Sequence, residues 1–241
     1  MIAIPPHARL GVILSSGNWT LETYFRAYAP EEIGVHVTRI RLGSGGERRA
    51  ADIETDILDC AALLADAGVD LICLQGTAVM MERGPDGEQE IVAAIEQAAD
   101  TPAFTATGAA VAALRAAAIE RPVLIAPNGE AATERERAFL EASGFSVIDA
   151  TGLDLGKKSN MATPEDWLAA AKSIDSSDAD GVFFSGSNTR ATEAIASTEM
   201  ALGKPAVTSV QASLWMALRR LSNSLPEFDP DPTLGRLFLG R

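Results

Sequence analysis

Short apolar runs alternate along this chain with longer stretches whose apolar positions recur at helical spacing. Runs of the first kind, bounded by Gly, Pro, Asn and Asp, read as buried strands, and the stretches between them as helices packed on a sheet. The pattern predicts strands at Leu10–Leu14, Val35–Ile40, Leu71–Leu74 and Ala103–Thr105, then at Val123–Ala126, Ser146–Asp149, Gly181–Phe184 and Ala206–Thr208. It predicts helices over Ile53–Ala67, Glu88–Ala99, Thr133–Ala142 and Pro164–Ile174. The last begins with Thr163 as N-cap, Pro164 in the first helical position and acidic residues in the first turn, which satisfies free amides at the helix start. Strand and helix alternating in this way give βα units on a mostly parallel sheet.

The two sets of strands repeat one another. Asp70-Leu-Ile-Cys-Leu-Gln-Gly-Thr77 lines up without gaps on Asp180-Gly-Val-Phe-Phe-Ser-Gly-Ser187. Pro102-Ala-Phe-Thr105 matches Pro205-Ala-Val-Thr208, and an alanine-rich helix ending in Ala-Leu-Arg follows each. Val12-Ile-Leu-Ser-Ser-Gly17 matches Leu124-Ile-Ala-Pro-Asn-Gly129. The expected fold is therefore α/β with two pseudo-symmetric halves, each a mostly parallel four-stranded sheet flanked by helices. Residues 8–115 with 220–241 are expected to form the first half, and 116–219 the second. Ligands of parallel sheets gather at the carboxyl ends of strands. A cleft is therefore expected where Ser16, Gly76 and Thr77 meet Asn128, Gly186, Ser187 and Asn188.

Each of those loops has a second reading. Ser15-Ser16-Gly17-Asn18 offers hydroxyls and amides to an anion, or serves as a turn and helix cap. Gly76 and Gly186 let backbone approach a ligand, or shape a tight turn; their matched places in the repeat favour the first. Arg190 could hold a carboxylate in two-point fashion or form a surface ion pair.

Composition narrows the chemistry. A formal charge of −13 argues against nucleic acid and anionic membrane as partners, since both need a basic face. No segment has the apolar length to span a bilayer, and no signal peptide is read at the start, so a cytoplasmic location is expected. The two cysteines, Cys60 and Cys73, lie in apolar stretches, which suits reduced, buried packing rather than a disulfide framework. With two histidines, they leave no evident metal set, and no cofactor is expected.

At these loops the sequence resembles the aspartate/glutamate racemase superfamily, in the branch containing maleate cis-trans isomerase and arylmalonate decarboxylase. Gly11-Val-Ile-Leu-Ser-Ser-Gly-Asn18 with Glu22 is similar to the branch's opening Pro-Ser-Ser-Asn-Thr loop and following glutamate. Val69–Thr77, Ser185-Gly-Ser-Asn-Thr-Arg190, Lys204–Ala212 and Gly235-Arg-Leu-Phe238 resemble further family segments in the same order. The resemblance implies a site where two cysteines, one per half, flank the reacting carbon while loop donors bind carboxylates. This sequence departs from that pattern, with Gly76 and Gly186 at the two cysteine positions and Asn128 where the decarboxylase has a tyrosine. What the resemblance implies here is an enzyme on a small carboxylate or dicarboxylate that stabilises an enolate-like state by hydrogen bonds, a decarboxylase or other lyase. Ser16, Asn18, Thr77, Ala78, Asn128, Ser187, Asn188 and Arg190 would bind the substrate, and Glu22 would be a candidate proton carrier. The alternative is a non-catalytic intracellular carboxylate-binding or accessory protein that lost the thiols. A homo-oligomer is left open.

Overall fold

The structure, a computed structural model, describes residues 7–41, 50–76, 81 and 83–239. The first half runs β1 (Ala8–Ser15), α1 (Thr20–Tyr28), β2 (Ile33–Ile40), α2 (Ala50–Asp66), β3 (Leu71–Leu74), α3 (Gly84–Ala99), β4 (Ala103–Thr105) and α4 (Ala106–Ala116). The second runs β5 (Pro122–Ala126), α5 (Glu130–Ala142), β6 (Asp149–Gly152), α6 (Pro164–Ile174), β7 (Gly181–Phe184), α7 (Ile195–Leu202), β8 (Ala206–Thr208) and α8 (Ser209–Leu221). A short α9 (Arg236–Leu239) closes the described chain. Every strand pairing is parallel, and the two sheets have the same order, β2-β1-β3-β4 and β6-β5-β7-β8.

The repeat extends to individual hydrogen bonds. The Asp70 carboxylate accepts the Arg9 amide at 2.7 Å, and Asp180 accepts that of Arg121 at 2.8 Å. The Gln75 and Ser185 amides donate to Ile13 O and Ile125 O, both at 2.9 Å. Glu96 and Glu199 each accept the first amide of the next strand, Ala103 N at 2.9 Å and Ala206 N at 3.1 Å.

Side chains on a strand alternate between faces, and here the alternation sorts the core. Leu71 and Cys73 of β3, with Phe183 of β7, join one central cluster between the sheets, which α1, α4, α5 and α8 complete. Ile72 and Leu74 face an outer cluster with α2 and α3, while Val182 and Phe184 face another with α6 and α7. Both sheets are therefore covered on both faces, which is why their strands read as unbroken apolar runs.

Two expectations are corrected. The strand expected at Ser146–Asp149 is β6, at Asp149–Gly152. Ser146 N and Ile148 N already bond to Glu120 O and Pro122 O, but the ladder with β5 starts at Asp149. The closing segment was expected to join the first half throughout. Arg220 does so, donating to Ala103 O at 2.7 Å and lying over the Phe104 ring. Residues 232–239 instead meet the second half. Buried Glu199 takes the Arg236 amide on both oxygens, at 3.1 and 3.0 Å, and Gln211 donates to Leu234 O. A buried carboxylate needs such donors. Among the described residues no helix is long and apolar enough to cross a membrane.

Candidate functional site

The carboxyl ends of β1 and β7 meet across the two halves. Asn18 Nδ2 donates to Ser187 O at 3.0 Å and to Ser187 Oγ at 3.2 Å. Trp19 N and Thr20 Oγ1 both donate to Asn188 Oδ1 at 3.3 Å, while Asn188 Nδ2 returns a bond to Gly17 O. Asn18 is 1% exposed, and its Oδ1 also accepts Leu21 N, capping α1. The residue expected to bind substrate thus fastens the Ser187 turn of the opposite half.

Gly76 and Gly186 stand two residues past the matched ends of β3 and β7, at φ of +123° and +102°. That region favours glycine over any L side chain. A Cβ on Gly76 would meet open space, whereas one on Gly186 would press to 3.0 Å on Pro127 Cγ and Thr189 Cγ2. A buried chain of polar groups links the two turns through the first turns of α8. Gln75 Nε2 donates to Cys73 Sγ at 3.0 Å, Cys73 interacts with the Ser213 hydroxyl, Ser213 Oγ donates to Ser209 O, and Ser209 Oγ accepts Gly186 N at 3.1 Å.

Neither thiol stands at these turns. Cys73 is wholly buried in the central cluster, and desolvation pushes its thiol up to about 12, against smaller lowering effects from Gln75, Ser213 and Arg220. Cys60 lies in α2 at 7% exposure, its thiol raised chiefly by burial. At neutral pH both stay protonated and are poor nucleophiles.

The remaining predicted residues are distributed as follows. Ser16 is exposed at the tip of its loop, with its amide bonded to Ile40 O at 2.8 Å. Asn128 is half-buried beside Pro127, whose ring neighbours Gly186, and its carbonyl accepts from Thr133 Oγ1. Thr77 and Ala78 lie outside the described residues. Glu22, expected as a proton carrier, stands beside the loop that Arg39 supports. Its carboxylate pairs with Arg39, and it lines a groove of about 310 Å³ along the β2 edge with Phe25, Arg26 and Val37. Arg39 Nη1 donates to Asn18 O at 2.6 Å and reaches Ser15 O and Ser16 O, so the pair props the loop from behind. Arg190 takes the ion-pair alternative, with two bonds to Glu193 at 3.0 and 2.7 Å. Glu193 also accepts Tyr24 OH at 2.7 Å from the first half. Arg190 holds the Glu193 carboxyl below its ordinary range; burial, then Glu193, pushes the Tyr24 phenol up. Phe183 and Phe184 are core residues, and Trp215 carries Arg219 over its ring, while Trp19 stands 56% exposed beside the Asn18–Ser187 junction.

The sequence reading missed Glu136. It lies on α5, 2% exposed, with the same face as Thr133, Phe139 and Leu140. The signal was present, because this spacing sets a carboxyl inside the apolar stripe of a helix. Burial pushes it up to about 7, against smaller lowering effects of Ser185 and Arg135. Among the described residues no three His, Cys, Asp or Glu side chains gather as a metal-ligand set.

This geometry has counterparts. The profile of a family described as arylmalonate decarboxylase matches residues 42–237. A maleate isomerase from Nocardia farcinica is 27% identical over 88% of this chain and 90% of its own. An arylmalonate decarboxylase from Bordetella bronchiseptica is 28% identical over 76% of each. Among solved structures, a Nocardia farcinica maleate cis-trans isomerase variant with a covalently bound succinylcysteine intermediate superposes with a TM-score of 0.88. It is 25% identical over 97% of this chain and 99% of that one. Unliganded arylmalonate decarboxylase, 22% identical over 97% of this chain and 100% of that one, shares the fold at a TM-score of 0.83.

Proposed function

The chain belongs to the arylmalonate decarboxylase family, and from that premise we propose that it is a thiol-independent enzyme acting on a small carboxylate or dicarboxylate. Its reaction is loss of CO2 or a related lyase step through an enolate-like state. The carrying observation is the pair of turns at β3 and β7, which hold glycine at positive φ while both cysteines lie buried elsewhere. A succinylcysteine like that of the Nocardia relative needs a thiolate at the reacting carbon, and these turns have none to offer. In a malonate-type substrate, the C–CO2⁻ bond breaks, CO2 leaves, the electron pair passes onto the remaining carboxylate, and the carbon of the resulting enediolate then takes up one proton from solvent. That carboxylate is the electron sink, so the reading calls for no cofactor. Hydrogen-bond donors held ready at its oxygens stabilise the charge where it develops. Ser187 and Asn188 from one half, with Thr77 and Ala78 from the other, are the donors assigned to this task, and Ser16 and Asn128 are assigned to the same site.

A second reading, a carboxylate-binding protein without turnover, draws on the mutual bonds of Asn18, Ser187 and Asn188, which tie the loops together as a structural joint would. Thermal-shift measurements with malonate, phenylmalonate and maleate, followed by NMR of each mixture over hours, separate the two. Loss of CO2 from a malonate is the expected result. Binding without chemical change would favour the second reading, and rapid isomerisation of maleate or racemisation of aspartate or glutamate would overturn both.

A further inference from the structure

Behind the Gly186 turn lies a buried titratable group that the mechanism above does not use. Glu136 on α5 is 2% exposed and Ser185, the last residue before Gly186, is 0% exposed. The Ser185 hydroxyl lies beside the Glu136 carboxyl and favours its ionised form. The geometry stops short of a formed bond, however, and Ser185 Oγ and Glu136 Oε2 both lack a partner among the described residues. Gln75, at the matched position before Gly76, has an unpartnered Oε1 as well. Buried polar atoms are nearly always paired, so unpartnered ones on the residues just before the two glycines, and on Glu136, call for a physical account.

Other charges do not account for Glu136. β5 and β7 carry no ionisable side chain. Asp149 on β6 acts on Arg137. On α3, Glu88 is held by Thr105 and Glu96 by Ala103 N, and the helix also carries Asp86 in its first turn and Glu90. The charge that does act on Glu136 is Arg135, from its own helix, and weakly.

We propose that Glu136 is a proton-carrying positioning residue of the carboxylate site, so that an anion at the Ser187–Asn188 turn and a proton on Glu136 are taken up together. This inference rests on the carboxylate-site reading above. An ionised Glu136 sets a negative charge beneath the backbone that faces the anion, and like charges in a poorly solvated interior disfavour one another. The protonated acid removes that repulsion and can donate to Ser185 Oγ, leaving the turn oriented for its ligand. Binding an anion therefore draws a proton from solvent wherever Glu136 was ionised beforehand, and decarboxylation consumes one proton per turnover at the same turn.

Titration calorimetry with succinate as the probe tests this between about pH 6.5 and 8.5, where succinate is a dianion, in two buffers of different ionisation enthalpy. The carboxylates of succinate are not both on one carbon, so it is not decarboxylated through an enolate-like state. The wild-type protein is expected to take up close to one proton per succinate at the upper end. Its affinity should fall by up to about tenfold per pH unit. Glu136→Gln should bind with pH-independent affinity and no uptake. Ser185→Ala, which removes a group favouring the ionised acid, should move the onset of uptake to higher pH. Equal uptake by wild type and Glu136→Gln overturns this inference and leaves the carboxylate site standing. Absence of binding by either at every pH overturns the carboxylate site and, with it, the inference. Carbon-13 NMR of wild-type protein labelled at glutamate needs no variant: one carboxyl titrating near neutrality, with a midpoint that rises on adding succinate, supports the proposal, and an unmoved midpoint overturns it.

Discussion

Placing a cysteine at Gly186 meets two obstacles, a φ of +102° and a Cβ pressed against Pro127 and Thr189. Backbone strain of this kind costs about 1–3 kcal/mol, so Gly186→Cys is expected to lower stability by that amount in chemical denaturation. Gly76→Cys faces only the torsional part and should lose about 1 kcal/mol. Glu136 gives a third residue-scale prediction. Its folded-state value lies near 7, above its ordinary 4.5, so between those pH values the folded protein holds a proton that the unfolded chain has released. Stability contributed in acid is lost as pH rises through that window, about 3 kcal/mol in all. Glu136→Gln should therefore melt higher than wild type at pH 8 and level with it near pH 4. The candidate loops could be located from the sequence at this scale, but not every role within them. Ser16, Gly186 and Ser187 were placed at strand ends because the repeat aligned them, and Asn18 and Asn188 because they follow in the same loops. That Asn18 bonds to the opposite half, or that Arg39 backs its loop, depends on partners distant in the chain, and no local pattern encodes them.

At the scale of elements, boundaries were legible wherever a fully buried apolar run ends in a turn. β3, β4, β7 and β8 fall at the residues expected, as does α6. Its N-terminus carries the reciprocal Thr163–Asp166 capping box, and Thr163→Ala is expected to cost about 1 kcal/mol, readable as a lowered melting temperature. β6 was less legible because it is an edge strand with no buried residue, so burial did not sharpen its limits. The stretch 232–239 was misassigned for another reason. Its short turns have no periodicity of their own, and their position is fixed by Glu199, Gln211 and Gly203 reaching for their backbone and side chains.

For the whole molecule, the central cluster belongs to both sheets at once, and a core so shared unfolds as one unit. The Tyr24–Glu193–Arg190 bridge joins the halves near the surface. Tyr24→Phe should cost about 1 kcal/mol while leaving a single cooperative transition by calorimetry. The duplicated architecture has a final consequence. The halves share strand order and anchoring bonds, yet they differ close to the seam: Gln75 stands where the other has Ser185, and Tyr24 where the other has Glu136. The local twofold relation therefore fails beside the cleft. A substrate with two identical carboxylates on a prochiral carbon would find them in inequivalent surroundings, and the protein could release one of them in preference to its mirror-related twin.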